Sequence, residues 1–214
     1  MIKYEYDPTN PYKNTGAPRD VLPHVKSFCT DIAPWIEPVF VTIKPDVDAK
    51  VNECFPNVDM YISKHGGRSV LGWQIWERYG VFIEAELHAV WKNPEGNIFD
   101  VTPKTLDMSR ILFLEDATLE YEGKQVNNIR SALLDIQVVT DLLNLYDAKF
   151  VIENVGDRAF QHGAIRLSEE EADLYGKIMQ QIHTAEQSIA FMQSAKSHPC
   201  RCGSGRIYKF CHGK

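Results

Sequence analysis

The stretch Val81-Phe82-Ile83-Glu84-Ala85-Glu86-Leu87-His88-Ala89-Val90-Trp91-Lys92-Asn93-Pro94-Glu95-Gly96-Asn97-Ile98-Phe99-Asp100-Val101-Thr102-Pro103 carries the clearest fold signal in the chain. Ile83, Ala85, Leu87, Ala89 and Trp91 alternate with Phe82, Glu84, Glu86, His88, Val90 and Lys92. A period of two is that of a β-strand, whose successive side chains point to opposite faces. One face is fully apolar and must pack on a core, whereas the other carries two carboxylates and a histidine. Asn93-Pro94-Glu95-Gly96 follows, with Asn first, Pro second and Gly fourth, the preferences of a type I turn closed by a left-handed glycine. Such a loop pairs Asn93 with Asn97, so Val90 faces Asp100 and His88 faces Thr102. His88 and Asp100 then share a face as diagonal neighbours, roughly 7–8 Å apart along the backbone. Phe99 and Val101 join Ala89 and Trp91 on the apolar face.

Outward from this hairpin, residues 38–44 read as a strand closed by Pro45. A helix around Pro56 runs to Gly66-Gly67, with Val58, Tyr61, Ile62 and His65 on one face. Residues 68–76, 97–101 and 110–114 read as further strands, 129–146 as a helix, and 149–153 as a short strand. Ser168-Glu169-Glu170-Glu171 is a capping box opening a long helix to about residue 197. Its stripe of Leu174, Ile178, Ile182, Ala185, Ile189 and Met192 demands a partner surface. The fold class expected is α+β with a mostly antiparallel sheet and a helix carrying a cysteine at its start. Residues 1–22 form an arm, 23–160 the mixed domain, 161–197 the long helix and 198–214 a small zinc knuckle.

That cysteine is Cys54, two residues before Pro56. A thiol at a helix start feels the positive end of the dipole and backbone amides, which favour the thiolate. Were His88 brought beside it, a thiolate–imidazolium pair would become possible, with Asp100 orienting the ring. Cys54, His88-Ala89-Val90-Trp91 and Asp100-Val101-Thr102-Pro103 together resemble the transglutaminase-like branch of the papain-like superfamily. The resemblance spans about fifty residues and departs from the family's pattern at Val90, with Trp91 one place late. It implies thiol-mediated acyl transfer or amide hydrolysis, with Cys54 as nucleophile, His88 as base and Asp100 as orienting group. Asn52 and Gln74 are candidate oxyanion donors. Two other readings stand beside it: Cys54 as a buried structural thiol under a solvated polar face, or a metal site from Glu84, Glu86, His88 and Asp100. Cys29, between Phe28 and Thr30, reads as a small buried hydrophobe.

The tail supplies the second signal. In His198-Pro199-Cys200-Arg201-Cys202-Gly203-Ser204-Gly205-Arg206-Ile207-Tyr208-Lys209-Phe210-Cys211-His212-Gly213-Lys214, the spacing gives three thiolates and one imidazole, the ligand set of a closed tetrahedral zinc site. A segment this short buries no core, so one structural Zn2+ would supply its folding free energy, on the order of 10 kcal/mol. The tail resembles the SEC-C motif, the zinc-binding end of the bacterial preprotein translocase ATPase. The match runs through Pro199, Cys200, Cys202, Gly203, Ser204, Gly205, Tyr208, Lys209, Cys211, His212 and Gly213. It implies ligation by Cys200, Cys202, Cys211 and His212, and docking on a protein partner or the ribosome. A non-enzymatic adaptor acting through this knuckle and the long helix is the alternative to an enzyme.

Net charge is −6, yet residues 187–214 contain no acidic residue and five lysines and arginines, which leaves −11 for the rest. A basic tip on an acidic body suits an acidic partner surface or a nucleic acid, the latter resting on the tail alone. No apolar run approaches the ~20 residues of a membrane span. The first residues lack the basic region and apolar core of a signal peptide, and the cysteines suit a reducing compartment, so a cytoplasmic location is expected.

Overall fold

The computed structural model describes residues 15–161, 164–194, 200, 204 and 206–211. By packing they fall into two units, a division that lies within the range 23–160 that the sequence groups together. One unit comprises Thr15–Glu77 and Ile83–Glu120; the other comprises Arg78–Phe82 and the described residues from Tyr121 onward.

In the first unit the order is β1 (Thr15–Gly16), α1 (Pro23–Ile32), β2 (Val39–Ile43), α2 (Cys54–His65), β3 (Arg68–Arg78), β4 (Phe82–Lys92), β5 (Ile98–Asp100) and β6 (Arg110–Glu115). Strands β3, β6, β2, β5 and β4 lie side by side in that order, and β4 pairs back onto β3, so the five close into a ring. Pairings β2–β6, β3–β6 and β4–β5 are antiparallel, and β2–β5 is parallel. The hairpin register is the one the turn chemistry dictates. Trp91 faces Phe99 and Lys92 faces Ile98, while the Asn93 amide donates to the Asn97 carbonyl (2.9 Å) and Gly96 sits at φ 92°.

Closure of the ring changes the meaning of the polar face of β4. In a small closed sheet the inward side chains fill the interior. Val41, Val70, Val90, Ile111 and Phe113 cluster there, so the parity of β4 that carries His88 is a buried one, not a solvated one. The opposite parity packs under α2: Cys54 and Val58 of the helix meet Ala89, Trp91 and Val101, flanked by Tyr61, Ile62, Leu71 and Phe99. Both faces are therefore core. The far end of α2 is pinned on β4, where Trp91 Nε1 donates to the Gly66 carbonyl (2.8 Å). Gly67, at φ 84°, approaches so closely that a Cβ would stand 2.3 Å from the Lys92 carbonyl oxygen, which only glycine permits.

Helix α1 has Pro23 at its first turn and an apolar stripe at i, i+3 and i+4, a short signal within a region the sequence reading leaves unassigned. It buries Val25, Phe28 and Cys29.

The second unit contains β7 (Ile129–Ala132), α3 (Gln137–Glu153) and α4 (Glu169–Ser194). Two expectations are corrected here. Residues 129–132 are strand rather than the start of a helix, and 149–153 form the last turns of α3 rather than a strand. The β-branched, aromatic run Phe150-Val151-Ile152 has strand propensity, but the preceding helix carries it on and Ile152 is buried against α4. The capping box forms as expected, with Glu171 N–H on Ser168 Oγ (3.2 Å) and Ser168 N–H on Glu171 Oε2 (2.9 Å). Ile178, Ile182, Ala185 and Ile189 of the α4 stripe are buried with Val139 and Leu142 of α3, whereas Leu174 is exposed. Among the described residues no helix is long and apolar enough to cross a membrane.

Candidate functional site

Helix α2 begins at Cys54, and Glu53 before it provides no side-chain cap for the first amides. Asn57, one turn on, ties the helix start to its surroundings. Its Oδ1 accepts from Lys50 N–H (2.9 Å), and its Nδ2 donates to the Lys50 carbonyl (2.7 Å) and Thr102 Oγ1 (3.3 Å). Thr102 lies just past Asp100, and its amide donates to Asp100 Oδ1 (2.9 Å). One asparagine thus fixes the Cys54 loop against the strand end that bears Asp100.

His88 and Asp100 meet as the register requires: His88 Nε2 lies 3.2 Å from Asp100 Oδ2, with both side chains almost wholly buried. Cys54 packs with Ala89 and Val101, the chain neighbours of His88 and Asp100, and its side chain is among the groups that favour the His88 imidazolium. The three residues singled out from sequence are therefore brought together.

A fourth charged group stands among them. Lys104 Nζ lies 2.8 Å from Asp100 Oδ2, donates to Gln74 Oε1 (2.8 Å), and lies 3.4 Å from His88 Nε2. Its side chain is 9 % exposed. Lys104 follows Pro103, outside any periodic segment, so no hydrophobic pattern marks it; the only trace is its i+4 spacing from Asp100. Gln74 shares the parity of Val70 on β3, is completely buried, and its Nε2 has no hydrogen-bond partner among the described residues. Asn52, the other candidate donor, is exposed in a left-handed turn at φ 62°. Glu86 is turned to Trp76 Nε1 (2.7 Å), and no three His, Cys, Asp or Glu side chains among the described residues converge on a metal-sized point.

Electrostatics follow from these distances. Burial and the Lys104 cation press the His88 imidazolium down, but the Asp100 carboxylate and hydrogen bonds to Asp100 and Cys54 outweigh both, raising it to about 9. Burial likewise opposes the Asp100 carboxylate, yet His88 and Lys104 bring it down to about 2. At neutral pH the proton therefore resides on His88. Cys29 is the contrast: burial, aided by Glu37, pushes its thiol up to about 12.

In the tail, Cys200 and Cys211 are described and are not disulfide-bonded, while Cys202 and His212 lie outside the described residues. The Cys200 amide donates to the Arg206 carbonyl (2.6 Å), and Ser204 Oγ stands 3.3 Å from Cys211 Sγ. A hydroxyl beside the sulfur suits a metal-bound thiolate, whose charge such donors offset. No protein-family model, curated protein or solved structure matches the chain.

Proposed function

We propose that the first unit is a cysteine-dependent acyl-transfer or amide-hydrolase domain of the transglutaminase-like kind. Cys54 is the nucleophile, His88 its proton partner and Asp100 the group that orients the ring. The observation that carries this reading is a buried His88–Asp100 pair (3.2 Å) beside a helix that starts at Cys54 and packs on Ala89 and Val101, the chain neighbours of those two residues. A thiolate paired with imidazolium attacks the acyl carbon, and the imidazolium proton passes to the departing amine. The acyl group then sits on Cys54 as a thioester. Water or a second amine displaces it, losing a proton to His88 and returning the sulfur to the thiolate. The test is alkylation of the intact protein by iodoacetamide, read site by site by mass spectrometry. At pH 7 Cys54 is expected to react at least tenfold faster than Cys29, and His88→Ala to remove that advantage. Equal, slow labelling of both cysteines would leave the adaptor reading in its place.

We also infer that Cys200, Cys202, Cys211 and His212 hold one Zn2+, which would order the tail and present it to a protein partner. Ligand type, spacing and the hydroxyl beside Cys211 support this. Elemental analysis is expected to find about one zinc per chain, lost in the Cys200→Ser/Cys202→Ser double variant. Native protein free of zinc would refute it.

A further inference from the structure

A buried site tolerates ions only when their charges balance. Taken alone, protonated His88 and ionised Asp100 are already neutral together, and a thiolate at Cys54 would leave the group with one negative charge in excess. The imidazolium would then be matched by its carboxylate, with no electrostatic reason to hold a thiolate beside it. Lys104 alters that count. Its ammonium lies closer to Asp100 Oδ2 (2.8 Å) than His88 Nε2 does (3.2 Å), so the carboxylate is shared between two cations. His88, Lys104 and Asp100 together carry one positive charge in excess, and the Cys54 thiol, packed on the neighbours of His88 and Asp100, is the ionisable group placed to answer it.

We propose that Lys104 is a charge-balancing positioning residue: by neutralising Asp100 it leaves protonated His88 to pair with Cys54 as a thiolate. The inference rests on the reading of Cys54 as nucleophile, and it goes beyond the Cys-His-Asp set by adding a fourth member.

The other charged groups near the cluster do not perform this balance. On β4, Glu86 is engaged by Trp76 and Glu84 is half-buried two residues further along the strand. On the α2 side, half-buried Glu53 is negative and adds to the demand for a cation. From β2, the Lys44 ammonium lies over the Phe99 ring, 4.0 Å from its centroid. Gln74 holds the lysine from β3 without contributing charge.

The experiment measures Cys54 alkylation from pH 6 to 9 in the full chain, with folding checked by circular dichroism. Lys104→Met is expected to slow alkylation at pH 7 at least tenfold and to move the rate–pH curve to higher pH. Lys104→Gln keeps a donor for Asp100 but no charge, and it should slow the reaction as much; it also serves if the Met variant does not fold. Asp100→Asn added to Lys104→Met restores neutrality to a thiolate–imidazolium pair, so the double variant should recover most of the lost rate. Packing loss alone gives no such recovery. If wild-type Cys54 is no faster than Cys29, both the nucleophile reading and this inference fall. If wild type is fast and the neutral variants stay within twofold of it, or the double variant is slower than either neutral single, the inference alone is overturned.

Discussion

Each unit of this protein buries a cluster of charge, and the two clusters are built to different ends. In the second unit, Arg78 pairs with Glu186 through Nη1, Tyr146 donates to the other oxygen of that carboxylate, and Gln193 Oε1 accepts from Arg78 Nε (3.2 Å). One cation meets one anion there, and a phenol and an amide hydrogen-bond to the pair. In the first unit, two cations share one carboxylate, one of them is an imidazole, a thiol lies beside it, and the Gln74 amide nitrogen is buried with no hydrogen-bond partner among the described residues. A balanced pair is architecture. An unbalanced cluster holding a titratable ring and a nucleophile has work left to do, and buried strain of that kind gathers at functional sites.

The sharpest way to break this comparison is to unbalance the balanced cluster. Glu186→Ala leaves the Arg78 guanidinium buried without its anion, a change that costs about 3–5 kcal/mol. Urea unfolding should register that loss as a markedly lower midpoint. Cys54 alkylation in the folded protein should be unaltered, because the site's own charges are untouched. A variant of normal stability would show that the Arg78–Glu186 pair is not structural after all.

How far the sequence discloses these two clusters differs for physical reasons. The hairpin and its register are legible because turn residues and a period of two are local properties. Asn93, Pro94 and Gly96 constrain the backbone, and the pairing of Trp91 with Phe99 follows from them. His88 and Asp100 inherit their meeting from that register. What the local pattern cannot reveal is that the ring closes, since the pairing of β4 with β3 joins the two ends of the five-strand run and turns an apparent polar face into an interior. Lys104 is illegible for the same reason: its partners Gln74 and His88 are thirty and sixteen residues away, and its own neighbours have no period. The strand at 129–132 and the extended α3 are misjudged because short apolar runs fit either period and tertiary packing decides between them.

A gentler measurement sharpens the contrast through pH. His88 is raised in the folded protein to about 9, against an unfolded value of about 6.5. A raised basic group gives stability that is complete below the unfolded value and is lost as pH climbs through the folded one. Asp100 behaves oppositely: lowered to about 2, it contributes fully above its unfolded value of about 3.9 and fails only in acid. Between pH 6.5 and 8.5, therefore, the His88 contribution alone declines, by roughly 2 kcal/mol on linkage. The upper limit matters because the buried Cys29 thiol, held at about 12, adds its own loss once unfolded cysteine begins to ionise near 8.5. The measurement belongs in a Cys54→Ser background, because a folded-state Cys54 thiolate would add stability over the same window and offset the His88 loss. Urea midpoints should fall there and stay nearly level in Cys54→Ser/His88→Gln, and Glu186→Ala added to Cys54→Ser should start lower and fall with the same slope. If the slope survives His88→Gln, the site does not hold its proton on His88. The distinction between a balanced and an unbalanced cluster would then lose its electrostatic basis.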